Sequence, residues 1–195
     1  KEKFYKKIIF FVKFFLIYFF FTNISYSDIK ENIIKKISET DTLSFTFKQR
    51  ISEKEEIGNC IIKYPLMMKC DYQNKKQKSI ISNGKTVAII KKKYKKIYLY
   101  PLKITPLFII LEKNKILNLI KNKKIKKNYT KFYEFEYIEK NGNVLKILFD
   151  KGSLNIKGWT TKDSYSNDVT FLIDNLIFNE TIEDDVFKIP KENDL

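Results

Sequence analysis

Apolar and polar residues alternate along most of the chain after residue 42, a pattern typical of β-strands with one buried face. Leu43, Phe45 and Phe47 fall on one face of the first such segment, with polar residues between them. Further short segments follow, and most are joined by turns of a few residues, which connect neighbouring antiparallel strands. The pattern predicts a mainly β (α+β) chain of about eleven antiparallel strands, the last of them a short strand at Phe187–Ile189. It does not separate a half-barrel from a sandwich.

Two regions break this alternation and have the period of a helix. Ile29, Ile33 and Ile37 form an apolar stripe within residues 27–39, which predicts an amphipathic helix packed on the sheet. A second short helix is predicted around residues 116–120, where apolar residues recur at helical spacing.

Two hairpins are indicated by turn residues between strand-like segments. Asn83-Gly84 predicts a tight type I′ turn, because glycine and asparagine accept the positive φ angles that such a turn requires. Residues 58–73 predict a second hairpin, turning near Pro65, with one set of residues on its inner face. That set is Cys60, Ile62, Tyr64, Met68, Cys70 and Tyr72. Cys60 and Cys70 then lie opposite each other within disulfide reach, although two buried thiols remain the alternative.

The segment 98–111 begins as a strand, breaks at Pro101 and restarts as a helix. Thr105 is expected to cap that helix and Pro106 to occupy its first position, where a missing N–H does no harm. The helix that follows has no polar face and is too short to span a bilayer. It is either a buried core helix or an apolar lid over a cavity; the lid residues would be Leu107, Phe108, Ile110 and Leu111.

The net charge of +15 comes almost entirely from lysine, because Arg50 is the only arginine. Lysine, isoleucine, asparagine and phenylalanine are abundant together, as in a chain encoded by AT-rich DNA. A nucleic-acid surface would use more arginine, so no nucleic-acid partner is predicted. The lysine run 91–96 is interpreted as a solvated hairpin end, with contact to anionic lipid headgroups as the alternative.

The chain has no histidine, which excludes catalytic triads that depend on histidine and histidine-based zinc sites. The two cysteines do not form a CxxC redox motif, and Asp184-Asp185 lacks the spacing of a metal site. The aspartates lie mostly at predicted turns, where they bind local backbone groups. We therefore predict no catalytic residues, no metal and no cofactor.

The N-terminal residues have the order of an export signal. Lysines are followed by the apolar stretch 14–21, and Ser25 and Ser27 supply small residues before a cut at Asp28. Residues 1–27 are therefore predicted to be a signal peptide, with an uncleaved anchor as the alternative. Residues 28–195 are expected to form one domain in the periplasm.

Several short motifs occur in the same order as in the LolA family of periplasmic lipoprotein carriers, which this chain resembles. They are Phe47-Lys48-Gln49, Gly58 to Pro65, Ile80 to Lys85, Pro101-Leu102 with Thr105-Pro106-Leu107, Gly158-Trp159-Thr160 with Thr170, and Phe187 to Pro190. The resemblance covers residues 43–190. It implies an incomplete antiparallel barrel, with an N-terminal helix and a mid-chain helical lid over an apolar cavity.

The resemblance also implies a function: a monomeric carrier that holds the acyl chains of lipoproteins and moves them from the inner to the outer membrane. Its partners would be acylated lipoproteins, an inner-membrane lipoprotein-releasing ABC transporter of the LolCDE type and an outer-membrane receptor of the LolB type. The expected cavity residues are Phe47, Ile62, Tyr64, Met68, Cys70 and Tyr72. The family commonly has an inward-pointing arginine before the hairpin proline; here Tyr64 stands there, which puts that lid contact in doubt.

Two other functions remain open at this point. One is a periplasmic sensor or interaction domain on the same scaffold, and the other is a lipid-modifying enzyme. Bound acylated protein would favour a carrier, whereas turnover of free lipid would favour an enzyme.

Overall fold

A computed structural model describes residues 26–75, 77–125, 131–138, 142, 144–163 and 165–195. The predicted signal peptide, residues 1–27, falls almost entirely outside this part of the chain. So does Asn141 of the dipeptide Asn141-Gly142, whose residue types predict another type I′ turn.

Three α-helices and ten β-strands make up the described fold. The helices are α1 (Tyr26–Ser38), α2 (Leu107–Leu111) and α3 (Lys113–Asn122). The strands are β1 (Thr42–Ile51), β2 (Lys54–Lys63), β3 (Met67–Tyr72), β4 (Lys78–Asn83), β5 (Thr86–Lys91), β6 (Lys96–Pro101), β7 (Phe132–Ile138), β8 (Val144–Asp150), β9 (Ile156–Lys162) and β10 (Asp168–Phe178).

All ten strands belong to one antiparallel sheet in the order β6-β5-β4-β3-β2-β1-β10-β9-β8-β7. The sheet is open, because β6 and β7 are its two edges, and β1 lies near its middle, paired with β2 and β10. The predicted mainly β fold with an incomplete barrel is thus confirmed. The eleventh predicted strand, around Phe187–Ile189, is wrong: Phe187 ends a 3-10 turn, and its buried side chain adds to the core without adding a strand.

The core lies on the concave face of the sheet, under the helices. One apolar cluster joins Ile33 and Ile37 of α1, Ile116 and Ile120 of α3 and inward-facing residues of the strands. The two helices are also tied together, because Lys30 Nζ donates hydrogen bonds to the backbone carbonyls at the end of α3, at 2.7 and 3.1 Å. α1 therefore packs on the sheet as its apolar stripe predicts.

A smaller apolar cluster lies on the convex face, where Ile81, Ala88 and Ile90 are buried. The C-terminal segment covers them, because Ile189 and Leu195 pack against this cluster. The outer edge of β6 is held by the same segment: the Ile97 amide donates a 3.0 Å hydrogen bond to Glu192 Oε1.

The hairpin between β4 and β5 forms as predicted, but its turn is not of type I′. Only Gly84 has a positive φ (93°) at this turn, whereas type I′ requires two such residues. The Asn83 side chain provides the alternative, since its Oδ1 accepts hydrogen bonds from the amides of Lys85 and Thr86 at 3.1 and 2.9 Å.

No helix in the described part of the chain is long and apolar enough to cross a bilayer.

Candidate functional site: an apolar interior under a short helix

The segment between β6 and α2 places a short apolar helix against the interior of the sheet. A 3-10 turn, Leu102–Ile104, leads from β6 to α2. Thr105 does not cap α2, contrary to the prediction, because its hydroxyl instead donates to the Leu102 carbonyl at 2.9 Å and no side chain caps this helix. The helix starts one residue later, after Pro106.

The predicted lid residues differ in burial along α2. Ile110 and Leu111 are completely buried, whereas Leu107 and Phe108 at the start of the helix are only half-buried. Ile109 is also buried, although the prediction left it out. The end of α2 is thus set into the core, and its beginning lies at the surface.

The structure brings the predicted cavity residues together on the concave face, in one cluster with the lid. Five of them are buried, and Tyr64 is half-buried at the edge of the cluster. The five are Phe47, Ile62, Met68, Cys70 and Tyr72. Cys60 and Cys70 face each other directly across β2 and β3 and are joined by a disulfide.

Aromatic rings form a row across this concave face, and sequence reasoning missed half of it. Trp159 stacks on Phe171 at 4.1 Å between ring centroids, Phe171 stacks on Phe47 at 4.6 Å, and Phe47 meets Tyr72 edge-on at 4.8 Å. Trp159 and Phe171 were detectable, because both are alternating residues of strands that contribute to the same face. The row passes over Gly58, where a Cβ would lie 2.8 Å from the Phe47 ring.

The hairpin between β2 and β3 is attached to the lid through the backbone. The Leu66 amide donates a 2.9 Å hydrogen bond to the Leu111 carbonyl at the end of α2. The Leu66 carbonyl in turn accepts a 2.7 Å hydrogen bond from the Ser82 hydroxyl. This backbone contact between the hairpin and α2 forms without an arginine at position 64. The residue at that position is Tyr64, whose ring is neutral.

Lys113, which sequence reasoning also missed, connects the lid helices to α1 and the sheet. Its Nζ lies 3.2 Å from Asp41 Oδ1, 3.3 Å from the Ser38 carbonyl and 5.6 Å from the centre of the Tyr64 ring. Burial raises the pKa of the Tyr64 hydroxyl above its ordinary range, so Tyr64 meets Lys113 as a neutral ring. A cation is thus present near the hairpin proline, but it comes from α3.

An apolar cleft opens into the cluster between α1, α3 and the end of the sheet. The space inside it is small, about 20 Å³. Its walls include Ile37, Leu43, Tyr64, Ile116 and Ile156. At its rim the Lys36 ammonium donates a 3.0 Å hydrogen bond to Asn155 Oδ1, so a polar contact borders an apolar opening.

A polar group of residues lies at the far ends of β2 and β3, away from the lid. Glu56 accepts hydrogen bonds from Lys78 and, at 2.9 Å, from Asn74. Burial alone would raise the pKa of the Glu56 carboxyl. The Lys78 ammonium, together with Lys54 and Asn74, has a larger effect in the opposite direction. The pKa of Glu56 is therefore below its usual value. The Glu56 carboxylate is paired with Lys78 and stays charged, so its role is to hold neighbouring strands together.

Similarity to known proteins agrees with this architecture. The family model described as outer membrane lipoprotein carrier protein LolA matches residues 38–190. No curated protein sequence matches the chain.

Three solved structures are similar to this chain. An uncharacterized conserved protein from Thermus thermophilus is 7% identical with a TM-score of 0.51, over 86% of this chain and 96% of that one. A LolA superfamily protein from Nitrosomonas europaea is 7% identical with a TM-score of 0.45, over 86% of this chain and 99% of that one. A putative outer membrane lipoprotein-sorting protein domain from Vibrio parahaemolyticus is 10% identical with a TM-score of 0.44, over 84% of this chain and 97% of that one.

The Thermus structure supports the fold alone, because its identity to this chain is low. The family model carries the assignment, because it matches most of the chain, from the end of α1 to the C-terminal segment. This chain belongs to the LolA family of outer-membrane lipoprotein carrier proteins.

Proposed function

We propose that this protein is a periplasmic carrier that binds the acyl chains of lipoproteins in its apolar interior and moves them from the inner to the outer membrane. One observation supports this most: the apolar residues of α2 and the concave face of the sheet form one cluster, bordered by an apolar cleft. An acyl chain has no polar groups to satisfy, so a cavity of this composition suits it. Burial of each methylene contributes about 0.8 kcal/mol.

The lid must move for cargo to enter. The space inside the cleft, about 20 Å³, is far below the roughly 300–1,000 Å³ of ligand pockets. The space that acyl chains would take is now filled by side chains such as Ile110 and Leu111. When cargo leaves, these residues return to the same apolar surroundings, which offsets part of the free energy of binding and keeps the process reversible.

The proposed partners follow from the route of the cargo. An inner-membrane lipoprotein-releasing ABC transporter of the LolCDE type would deliver the lipoprotein, and an outer-membrane receptor of the LolB type would receive it. Residues 1–27 would direct export and then be removed, so N-terminal sequencing of the envelope form should begin near Asp28.

The test is to isolate the protein from the cell envelope, identify bound molecules by mass spectrometry, and add it to spheroplasts. A carrier should hold acylated protein and should release lipoproteins from spheroplasts into the medium. Binding without release would instead indicate a sensor domain, and turnover of free lipid would indicate an enzyme. Either result would contradict the proposed function.

A further inference from the structure

The edge of the sheet next to the lid carries an exposed surface that the carrier function does not use. It comprises the solvent-exposed residues of 92–104, which we call the β6 surface. This segment contains the turn after β5, all of β6 and the 3-10 turn that leads to α2. Leu102 is buried within it, and its other residues are exposed except Ile97.

Lysines are crowded at one end of the β6 surface. Lys91 and Lys96 lie directly opposite each other on β5 and β6, a pairing of like charges that is unfavourable. A 3-10 turn places Lys92 and Lys93 between them, together with Lys95. Among the described residues, no carboxylate forms an ion pair with Lys92, Lys93, Lys95 or Lys96.

Several lysines elsewhere in the fold have carboxylate partners, which the lysines after β5 lack. Lys63 lies 2.6 Å from Asp184, and Lys113 lies 3.2 Å from Asp41. The unpaired, mutually repelling lysines after β5 therefore favour an external anion, which would lower their electrostatic free energy.

Apolar and aromatic side chains are exposed along the same segment. The exposed fractions are 54% for Tyr94, 61% for Leu99 and 76% for Ile104. Tyr98 and Tyr100 are also exposed, on the concave side of β6. Six strand residues span about 20 Å, so this side of the surface is long enough to lie along a membrane interface.

We propose that the β6 surface binds the headgroup region of anionic phospholipid bilayers. The four lysines supply attraction, at about 1 kcal/mol each near an anionic surface, and tyrosine is enriched where membranes meet water. Ile104 can enter the interface at no cost to the core, because its side chain is exposed. An acidic protein would satisfy the lysines but would not require exposed aliphatic residues beside them.

This inference extends the proposed function and does not depend on it, because the β6 surface is outside the apolar interior. Ile104 is three residues before the first residue of α2. Docking through the β6 surface would therefore bring the lid close to the bilayer.

The test measures sedimentation with vesicles, using the form of the protein isolated from the envelope. Vesicles of phosphatidylcholine are compared with vesicles of equal parts phosphatidylcholine and phosphatidylglycerol. A variant with Lys92, Lys93, Lys95 and Lys96 changed to Gln should lose at least about tenfold in affinity for the anionic vesicles. A control with the same change of charge alters four exposed lysines in or beside the helices, Lys35, Lys121, Lys123 and Lys124, and should lose much less.

Two further measurements separate a membrane from other anions. Raising salt from about 0.01 M to about 0.15 M shortens the screening length from about 30 Å to about 8 Å and should weaken binding of the parent. Tyr94→Ser with Ile104→Ser should weaken vesicle binding several-fold while leaving binding to soluble polyglutamate unchanged. Equal binding to both vesicle types, equal loss in both lysine variants, or no effect of the Tyr94 and Ile104 changes would overturn the proposal.

Discussion

The Leu66 amide donates its hydrogen bond to the Leu111 carbonyl, so the hairpin between β2 and β3 holds the last residue of the lid helix α2. The first residues of that helix have no such attachment in the described structure and are only half-buried. In the proposed lid movement, α2 would therefore open from its beginning, because its end is held. This asymmetry allows its roles in folding and in cargo binding to be separated.

Phe108→Glu should keep the fold and weaken cargo binding, whereas Ile110→Glu should unfold the protein. Phe108 is half-buried, and Lys115 Nζ lies 5.1 Å from its ring centre, close enough to pair with a carboxylate after a rotamer change. Ile110 is completely buried, and an unpaired charge there costs several kcal/mol. Circular dichroism melting and the spheroplast release assay measure the two effects.

Ile138→Glu is the matched control for the lid variants, because Ile138 is exposed and lies on β7, at the other edge of the sheet. It should change neither melting nor release of cargo. If Phe108→Glu is unfolded, or carries lipoproteins like the parent, α2 is core and not a lid.

Lys113→Gln should loosen the lid without unfolding the sheet. It removes the ion pair with Asp41 and the contact with the Tyr64 ring. Asp41 is largely exposed, so solvent limits the loss to about 1 kcal/mol. Hydrogen exchange of the Leu66 amide should become about fivefold faster, since 1.4 kcal/mol corresponds to about tenfold. Lys121→Gln, at an exposed residue of α3, should leave the exchange rate unchanged; equal acceleration in both would contradict a specific role for Lys113.

Cys60 and Cys70 should give no free thiol in denatured, unreduced protein, because a disulfide joins them across β2 and β3. Replacing both with Ala should lower the free energy of unfolding by about 2–3 kcal/mol, since the closed loop is short. Two titratable thiols per chain would show that the bridge does not form in the cell.

Gly58→Ala should destabilise the protein far more than Gly84→Ala. A Cβ on Gly58 would lie 2.2 Å from the Asp71 carbonyl oxygen and 2.8 Å from the Phe47 ring, so backbone must shift. A Cβ on Gly84 meets nothing within 4 Å, and only its positive φ, 93°, opposes the change, at about 1 kcal/mol. Urea denaturation of both variants gives the comparison; equal losses would mean that β2 and β3 do not approach this closely.

Glu56→Gln should lower stability near neutral pH, and the difference should vanish in acid. The pKa of Glu56 is lower in the folded protein than its ordinary value of 4.5, because hydrogen bonds and charge from Lys78 outweigh burial. The unfolded chain then binds the proton more readily, so this contribution is present above pH 4.5 and is lost as pH falls through the folded pKa. Urea denaturation of the parent and the variant is measured from neutral to acid pH, and the two midpoints should converge as the pH falls. A difference that stays constant with pH would mean that the variant loses stability through packing and not through charge.

The sequence was most informative where residues alternate. The period of two placed Phe47, Cys60 and Cys70 on the concave face, because a strand has only two faces and one of them is buried. The same reasoning applied to β9 and β10 would have found Trp159 and Phe171. A local pattern of this kind predicts which face of a strand a residue lies on, and it needs no information about contacts between distant segments.

Contacts between distant segments were not predictable in this way. Lys113 resembles any other lysine of an amphipathic helix, and only the packing of α3 beside α1 brings it to Asp41. The cap at Thr105 failed for a similar reason, because the preceding 3-10 turn offers its hydroxyl the Leu102 carbonyl. The strand expected at Phe187 has the right residue types, but the tail packs its aromatic ring into the protein without pairing its backbone.

The hydrogen bond from the Ile97 amide to Glu192 has a consequence for solubility at high concentration. An edge strand offers unpaired amides to a second copy of the same strand, and such edges seed polymers. On β6 the outward amide at Ile97 is occupied, and Pro101, on the same side of the strand, has no amide to offer. Between these two positions the amide of Leu99 also points outward, so the C-terminal segment narrows the part of β6 that a second molecule could pair with and does not cover all of it.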